Sequence, residues 1–590
     1  MATTQHTRAL RALFTAAGAA GAAAAAAAAA SRPARADSAA PDAPDQPRLR
    51  ALLARAAAAS AASRAPPAAP PPHSPPPLSA PERSRARSAL QRYYALSDAA
   101  LSDAALPLAA ENKSRRVPAH VVFRRLPPHV AAPIAAKFLV VGGGTAAWSA
   151  IQALVRADGV QPHQIVLVAE EPYWPYNRTM LSKELWRSDI VDHAPLPDPP
   201  SVEYAYKHVA PPAHIAVVNS TAVFLDPDQK YVRTKSGVHI AYDKLLLATG
   251  ATPRHATSVA PVLRHPSIQP YLSTFRTFSD YRALRQTITS RQQPVVVIGG
   301  GFLGTELALA LTAVSDNVTL VVSEAGVLFR VLPRYLCHFL AAKLENAGVR
   351  VLRSAFVSDA SEKDGHVTLQ IDSTDQPQPT SITTSHIIAA VGVDPCTQLA
   401  KTAGLEIDRH DHGVRVNDFM MVEPDVYAAG DVASFHDRSL GRRRVEHWDH
   451  AVVSGRIAAA NMAGARERYA LQSMFWSDLP AVDVSFTAVG LVDSRLDTVA
   501  VWNLEEEAVR DAPSINRFAD GVVYYLERSE IVGVVLWNAP KGAAGLRRAR
   551  ALVDAKTCVR GLDERTLAAL VNLREGRFRE CVRTARDAPL

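Results

Sequence analysis

Residues 137–151, KFLVVGGGTAAWSAI, carry glycines at a spacing suited to holding a phosphate. The stretch reads as a short apolar strand at 138–141, a turn of Gly142, Gly143, Gly144 and Thr145, and a helix start rich in small residues. Gly142 permits the tight turn, Gly144 lets the backbone approach a pyrophosphate, and Ala147 lets helix and strand pack closely. The helix then turns its unpaired N–H groups and the positive end of its dipole toward the phosphates. An acid closes the next strand: Glu170, with Glu171 beside it, is placed to accept hydrogen bonds from a ribose. A lone glycine-rich turn would be weak evidence, but the unit recurs. Residues 295–306 are VVVIGGGFLGTE, with Gly300, Gly301, Phe302 and Leu303 in the turn, Glu306 on the helix that follows, and Glu324 after the second strand. Two such units imply two dinucleotides. Glu324 stands where a cofactor carrying a 2′-phosphate would want arginine, which favours NAD over NADP even with Arg330 nearby.

Further residues cluster in motifs after each unit. In 170–186, EEPYWPYNRTMLSKELW, the prolines impose a loop and a helix starts at 181. The functional reading sets Arg178 near phosphate or ribitol and Lys183 against a flavin ring, where a cation would stabilise the anionic reduced form; the alternative is two solvated surface cations. A buried strand in 242–254, YDKLLLATGATPR, runs into a turn that brings Arg254 back toward the first dinucleotide. A helix at 277–290 then links to the second unit, and 386–395, HIIAAVGVDP, ends in Gly392, closing over the NAD. In 426–433, VYAAGDVA, Gly430 allows close approach and Asp431 is placed to hydrogen-bond a ribitol chain. The helix expected in 442–455, RRRVEHWDHAVVSG, carries Glu446, His447 and Trp448 in its first turn, and 472–479, QSMFWSDL, opens a third α/β domain with Phe475 and Trp476.

At 590 residues the chain has room for several domains. Its net charge of +8 and pI near 9.3 are compatible with nucleic acid or an anionic membrane as partner. Many arginines lie near the two ends, however, so a basic tail and a solvated helical face are the simpler reading. Cys337, Cys396, Cys558 and Cys581 are far apart and form no CxxC pair, which points to neither a redox disulfide nor a cysteine-based metal site; no metal is expected. Residues 1–36 hold four arginines and no acid, and three readings compete: a transit peptide, a secretory signal with Ala34-Arg35-Ala36 at its cleavage site, and a membrane anchor at 12–30. Residues 37–134, rich in Ala, Pro, Ser and Arg, read as a mostly disordered tether with a short helix at 84–96.

Taken together, PYNRTMLSKELW, LLATGATPR, VIGGGFLGTELA, AAVGVDP, LGRRRVEHWDHAVVSGR and QSMFWSDL resemble the apoptosis-inducing factor family, mitochondrial flavoproteins of the glutathione-reductase fold. The likeness runs from about residue 135 to 538 and is far more specific than either glycine motif. It implies an α/β chain with two Rossmann-like dinucleotide-binding domains and a C-terminal α/β domain of the dimerisation type. The first dinucleotide domain would occupy 135–275 and 401–475, the second 276–400, and the third 476–590. It also implies FAD held by residues 142–145, Glu170, Glu171, Arg178, Lys183, Val223, Arg254, Asp431, His447, Trp448 and Trp476. NADH would meet residues 300–303, Glu324, Arg330, Gly392, Glu446, His447 and Trp476, with Phe302 bordering the nicotinamide. Lys183, Glu306, His447 and Trp476 would stand at the reacting centre.

The resemblance further implies hydride transfer from NADH to FAD and on to a quinone, oxygen or a one-electron carrier. It implies dimerisation on reduction, residence in the intermembrane space or on the inner membrane, an import oxidoreductase as partner, and nuclear relocation with DNA binding in cell death. Two other readings are an NADH-sensing scaffold with little turnover and a reductase of the ferredoxin type. The chain departs from the family pattern in places. Trp448 replaces a second histidine, Glu423 replaces a dimer-contact arginine, Thr487 stands where an acid would border the nicotinamide, and the third domain's acidic insertion shrinks to 503–520; Glu406, Arg415 and Arg442 keep the family's dimer charges.

Overall fold

Runs of Val, Ile, Leu and Ala that are apolar on both faces must be covered on both faces, and parallel strands satisfy that demand. The computed structural model describes residues 79, 121–125, 134–186, 213–254, 259–375, 378–503, 518–539, 543–573 and 579–584, all in the unit Pro75–Leu590. The segment read as a targeting sequence or anchor, the helix expected at 84–96 and residues 504–517 lie outside the described residues. Ile134–Val141 is central in a sheet of nine described strands, flanked in parallel by Ile165–Ala169 and His239–Leu247. Beyond Ile165–Ala169 come Ala213–Asn219 and Val121–Arg125, also parallel. Val121–Arg125 falls within the stretch read as tether, so part of that stretch is a sheet edge. On the other side the chain re-enters the sheet late, laying Val426–Ala428 parallel to His239–Leu247.

The helix Thr145–Arg156 covers this sheet and crosses Trp448–Met462 at very close range. A Cβ on Gly455 would lie 2.2 Å from the carbonyl oxygen of Ala146, so only glycine admits the crossing. The second domain is a sheet of five described parallel strands in the order Val349–Leu352, Val318–Val321, Val295–Ile298, His386–Ala389, Leu272–Thr274. Its linking helix, Phe278–Thr287, begins with a capping box between Thr277 and Asp280. Two short antiparallel strands, Ala251–Pro253 and Val393–Pro395, tie the domains together.

The third domain is an antiparallel sheet whose strands alternate between two cores. Ala500, Trp502, Val523 and Tyr525 face the second domain, whereas Val499, Val501, Val522 and Tyr524 face the helices Ala543–Asp554 and Glu564–Leu570. Its strand Arg579–Thr584 was not legible in the sequence. Two local expectations need correction. Residues 178–186 form two short 3₁₀ turns, Arg178–Ser182 and Glu184–Trp186, because the chain breaks helical geometry at Lys183. Glu446 precedes its helix, which starts at Trp448 with His447 as N-cap.

Gly455→Ala should destabilise the protein by about 2–3 kcal/mol through overpacking, read as a lowered urea midpoint. Two buried histidines make stability pH-dependent. His386 shares a hydrogen with Ser273 Oγ at 2.9 Å, and His450 lies 4.5 Å from the Phe435 ring in a stack. Burial pulls each down to about 4. Both stay neutral in the folded state while the unfolded chain binds protons below pH 6.5. Their contribution is therefore whole above that value and lost as pH falls toward 4, amounting at pH 5 to up to about 2 kcal/mol per histidine. Denaturation curves at pH 7 and pH 5 test this, and His450→Phe should reduce the difference by that residue's share alone.

Candidate active site where two glycine turns meet

The two glycine turns are built alike. Gly142 has φ +118°, and a Cβ there would meet Ala248 O at 2.1 Å; Gly299 has φ +121°, and a Cβ there would meet Ala390 O at 2.3 Å. Each first glycine is thus wedged under the backbone leaving the neighbouring strand. The residue that opens each helix is different: beside Gly144 and Gly301 a Cβ would find open space. No side chain caps either helix, so the first-turn N–H groups are left for another acceptor.

A cavity of about 690 Å³ lies between the domains. Gly301, Phe302, Leu303 and Gly392 form its wall on the second domain. Arg178 and Lys183 reach it from the 178–186 turns, and Glu446, His447 and Trp448 from the start of the long helix. Phe475 and Trp476 close it from the third domain. Aromatic contacts set these walls. Phe302 meets Phe475 edge-on at 5.2 Å, His447 lies 4.9 Å from the same ring, and Trp448 meets Trp476 edge-on at 5.6 Å.

Charge inside the cavity is organised around Glu306. Its Oε2 accepts from Lys183 Nζ at 2.6 Å and from Ser182 Oγ at 2.8 Å, while Oε1 accepts from Ser477 Oγ at 2.8 Å. Glu306 is 8% exposed, yet three donors meet its carboxylate, so its burial is compensated. Arg178 pairs with Glu171 and donates to Arg276 O at 3.0 Å, and Tyr176 Oη donates to Glu171 at 2.7 Å. Asp431 is held by Arg276 at 2.9 Å. Glu446 pairs with Arg444 at 2.9 Å; burial pushes its carboxyl up and Arg444 opposes that. Burial, reinforced by Arg443, pulls His447 down to about 3, so it is a neutral ring at the cavity and not a cation.

Some expected residues lie elsewhere. Arg254 does not line the cavity: its Nε and Nη2 reach Asp394 at 2.9 and 2.7 Å, stapling the two linking strands. Glu324 is engaged by Arg330 at 2.9 Å, away from the cavity, and Val223 is exposed on the strand Ala222–Asp226. Glu170 and the first glycine turn lie outside the cavity lining as well. Conversely, Ser182, Arg276, Arg443, Arg444 and Ser477 complete the site and were not singled out by the sequence. Ser477 had a signal, since it falls two residues after Phe475 on a strand; Arg276 had none.

The pyridine nucleotide-disulphide oxidoreductase family profile matches residues 136–455, and the profile of the C-terminal region of mitochondrion-associated apoptosis-inducing factor matches 458–514. Apoptosis-inducing factor 1 of Dictyostelium discoideum, named as mitochondrial, is 32% identical over 68% of this chain and 76% of its own length. The chain belongs to the apoptosis-inducing factor family. A putative apoptosis-inducing factor 1 of Drosophila melanogaster is 31% identical over 70% of this chain, which spans 62% of that relative's length. A ferredoxin reductase from Rhodopseudomonas palustris shares the fold, with TM-score 0.58 and 23% identity over 74% of this chain and 98% of its own.

The family's cofactors are FAD and NAD(H), and the residues present fit them. The open positions beside Gly144 and Gly301 leave room for two pyrophosphates at uncapped helices. Trp448 Nε1, beside the cavity, is buried and meets no hydrogen-bond partner among the described residues, a donor for a bound ring system. The Lys183–Glu306 pair at this junction is testable by itself. Lys183→Met should cost about 2–4 kcal/mol by stranding a buried carboxylate. Adding Glu306→Gln should recover part of that loss, measured as a double-mutant cycle in urea.

Proposed function

We propose that this chain is a mitochondrial FAD-dependent NADH oxidoreductase that passes electrons to an acceptor outside its own fold. The observation that carries the reading is the ammonium of Lys183, fixed by Glu306 inside the cavity that Phe302 and the second glycine turn border. Bound FAD would supply an acceptor for the hydride of NADH and release the electrons afterward, in pairs or singly. Lys183 would set a positive charge beside the reduced ring, Glu306 orients Lys183, and neutral His447 with Phe302, Phe475 and Trp476 forms an apolar lining that limits water. Glu324, held by Arg330, would discriminate against a 2′-phosphate. No cysteine among the described residues lines the cavity, which supports an external acceptor: a quinone, oxygen or a one-electron carrier. The ferredoxin–NAD(+) and rubredoxin–NAD(+) reductases among the relatives favour the last of these.

A redox-controlled scaffold is the second reading. The surface ion pair of Glu406 and Arg415 keeps two charges that the resemblance sets at a dimer contact. Arg442, the third, is instead engaged by the carbonyls of Ser434 and Val416 at 2.7 and 3.2 Å, which weakens that reading. The intermembrane-space location, membrane anchor, import partner, and nuclear relocation with DNA binding come from the resemblance.

Anaerobic mixing of the flavin-loaded protein with NADH, and separately with NADPH, decides between them. NADH alone should bleach the flavin band, with turnover on added acceptor and no change in size on gel filtration. Lys183→Met should slow the bleaching about 10²-fold. A lasting long-wavelength band with a shift to dimer and negligible turnover would establish the scaffold instead.

A further inference from the structure

Four residues on a helix and two on a strand span nearly equal distances: about 6 Å for i to i+4 of an α-helix and about 6.6 Å for i to i+2 of a β-strand. The third domain uses this match against the second. Phe302 and Glu306 stand one turn apart on the helix Phe302–Leu311, and Phe475 and Ser477 stand two apart on the strand Met474–Leu479. Phe302 meets Phe475 at 5.2 Å, and Ser477 Oγ donates to Glu306 Oε1 at 2.8 Å. One contact is apolar and joins two residues of the cavity wall; the other is polar and joins Glu306, which also lines the cavity, to a residue behind it. Ser477 is 1% exposed and does not line the cavity.

We infer that Ser477 is a positioning residue through which the third domain sets the charge that Lys183 presents to the cavity; this rests on the oxidoreductase reading of the site. The carboxylate of Glu306 has two oxygens with distinct duties. Oε2 takes Lys183 and Ser182, from the turns Arg178–Ser182 and Glu184–Trp186 and the residue between them, and Oε1 takes Ser477, from the third domain. Without the Ser477 donor the carboxylate would carry more charge toward Lys183 and be free to rotate about its last torsion. The ammonium would then be more fully neutralised and less firmly placed. The third domain, which supplies no cation at this point, would thus tune the electrophilicity of the flavin from behind the wall.

The test uses the flavin-loaded protein as isolated, with Ser477→Ala, Ser477→Thr, Lys183→Met and the double variant of Ser477→Ala with Lys183→Met. Two readouts are taken: the midpoint potential of the bound flavin, by dithionite titration against a reference dye, and the rate and Kd of anaerobic reduction by NADH. Ser477→Ala should lower the potential and slow reduction about tenfold with Kd unchanged, the size expected for a lost hydrogen bond to a charged group. Ser477→Thr should restore both, and Ser477→Ala should add nothing in the Lys183→Met background. An unchanged potential in Ser477→Ala, or an effect that persists in full without Lys183, overturns the inference. The dithionite titration needs no NADH. A wild-type protein that titrates normally but is not reduced by NADH would therefore sink the oxidoreductase reading while the role of Ser477 is still decided.

Discussion

The carboxylate of Glu306 is where segments of the three domains come together. A buried carboxylate is costly unless its charge is met, and here its three donors come from two distant stretches of chain: Lys183 and Ser182 from the turns after the first glycine unit, Ser477 from the third domain. Glu306 itself projects from the helix that begins at the second glycine turn. Satisfying one buried charge therefore fixes the relative placement of the segments that wall the cavity. The aromatic contacts around it, Phe302 on Phe475 and Trp448 on Trp476, are less demanding of direction and fill the space that this polar joint defines.

The two glycine turns show how one local solution serves two sites. In both, a positive-φ glycine lies under a neighbouring carbonyl, and in both the residue before the helix leaves open space. The helices differ in how they pack. The first must admit Trp448–Met462 and does so through Gly455 against Ala146. The second packs through Gly304, where a Cβ would lie 1.8 Å from Gly299 O. The sites share backbone chemistry and take their separate characters from the side chains brought to them.

Much of this was legible in the sequence because it is local. Apolar runs ending in glycine turns have few alternatives to buried parallel strands, and both turns formed as read. The cavity also gathers Arg178, Lys183, Gly392, Glu446, His447, Trp448 and Trp476 from motifs hundreds of residues apart. What escaped was pairing. Arg254 sits in a motif that points to phosphates, yet Asp394 across the linking strands claims it, while Arg276, in no motif, holds Asp431. A cation's type and position along the chain do not say which carboxylate the fold will bring to it. The break at Lys183 was likewise hidden, since LSKELW suits a helix and only its tertiary partners forbid one.

The late return of Val426–Ala428 to the edge of His239–Leu247 has a consequence for how the chain is made. Roughly 180 residues separate the two strands, and at the pace of ribosomal synthesis that is about 10–40 s. Throughout that interval residues 245–247 have a bare hydrogen-bonding edge, 239–241 being already paired with Tyr231–Thr234, and the sheet lacks the helix Trp448–Met462 that will cover its face. The second domain, whose described strands all lie within the gap, has every pairing partner at hand and can fold on its own schedule. The nested domain is thus complete while its host is still open. The open edge at 245–247 marks the interval in which a nascent chain of this design most needs a chaperone.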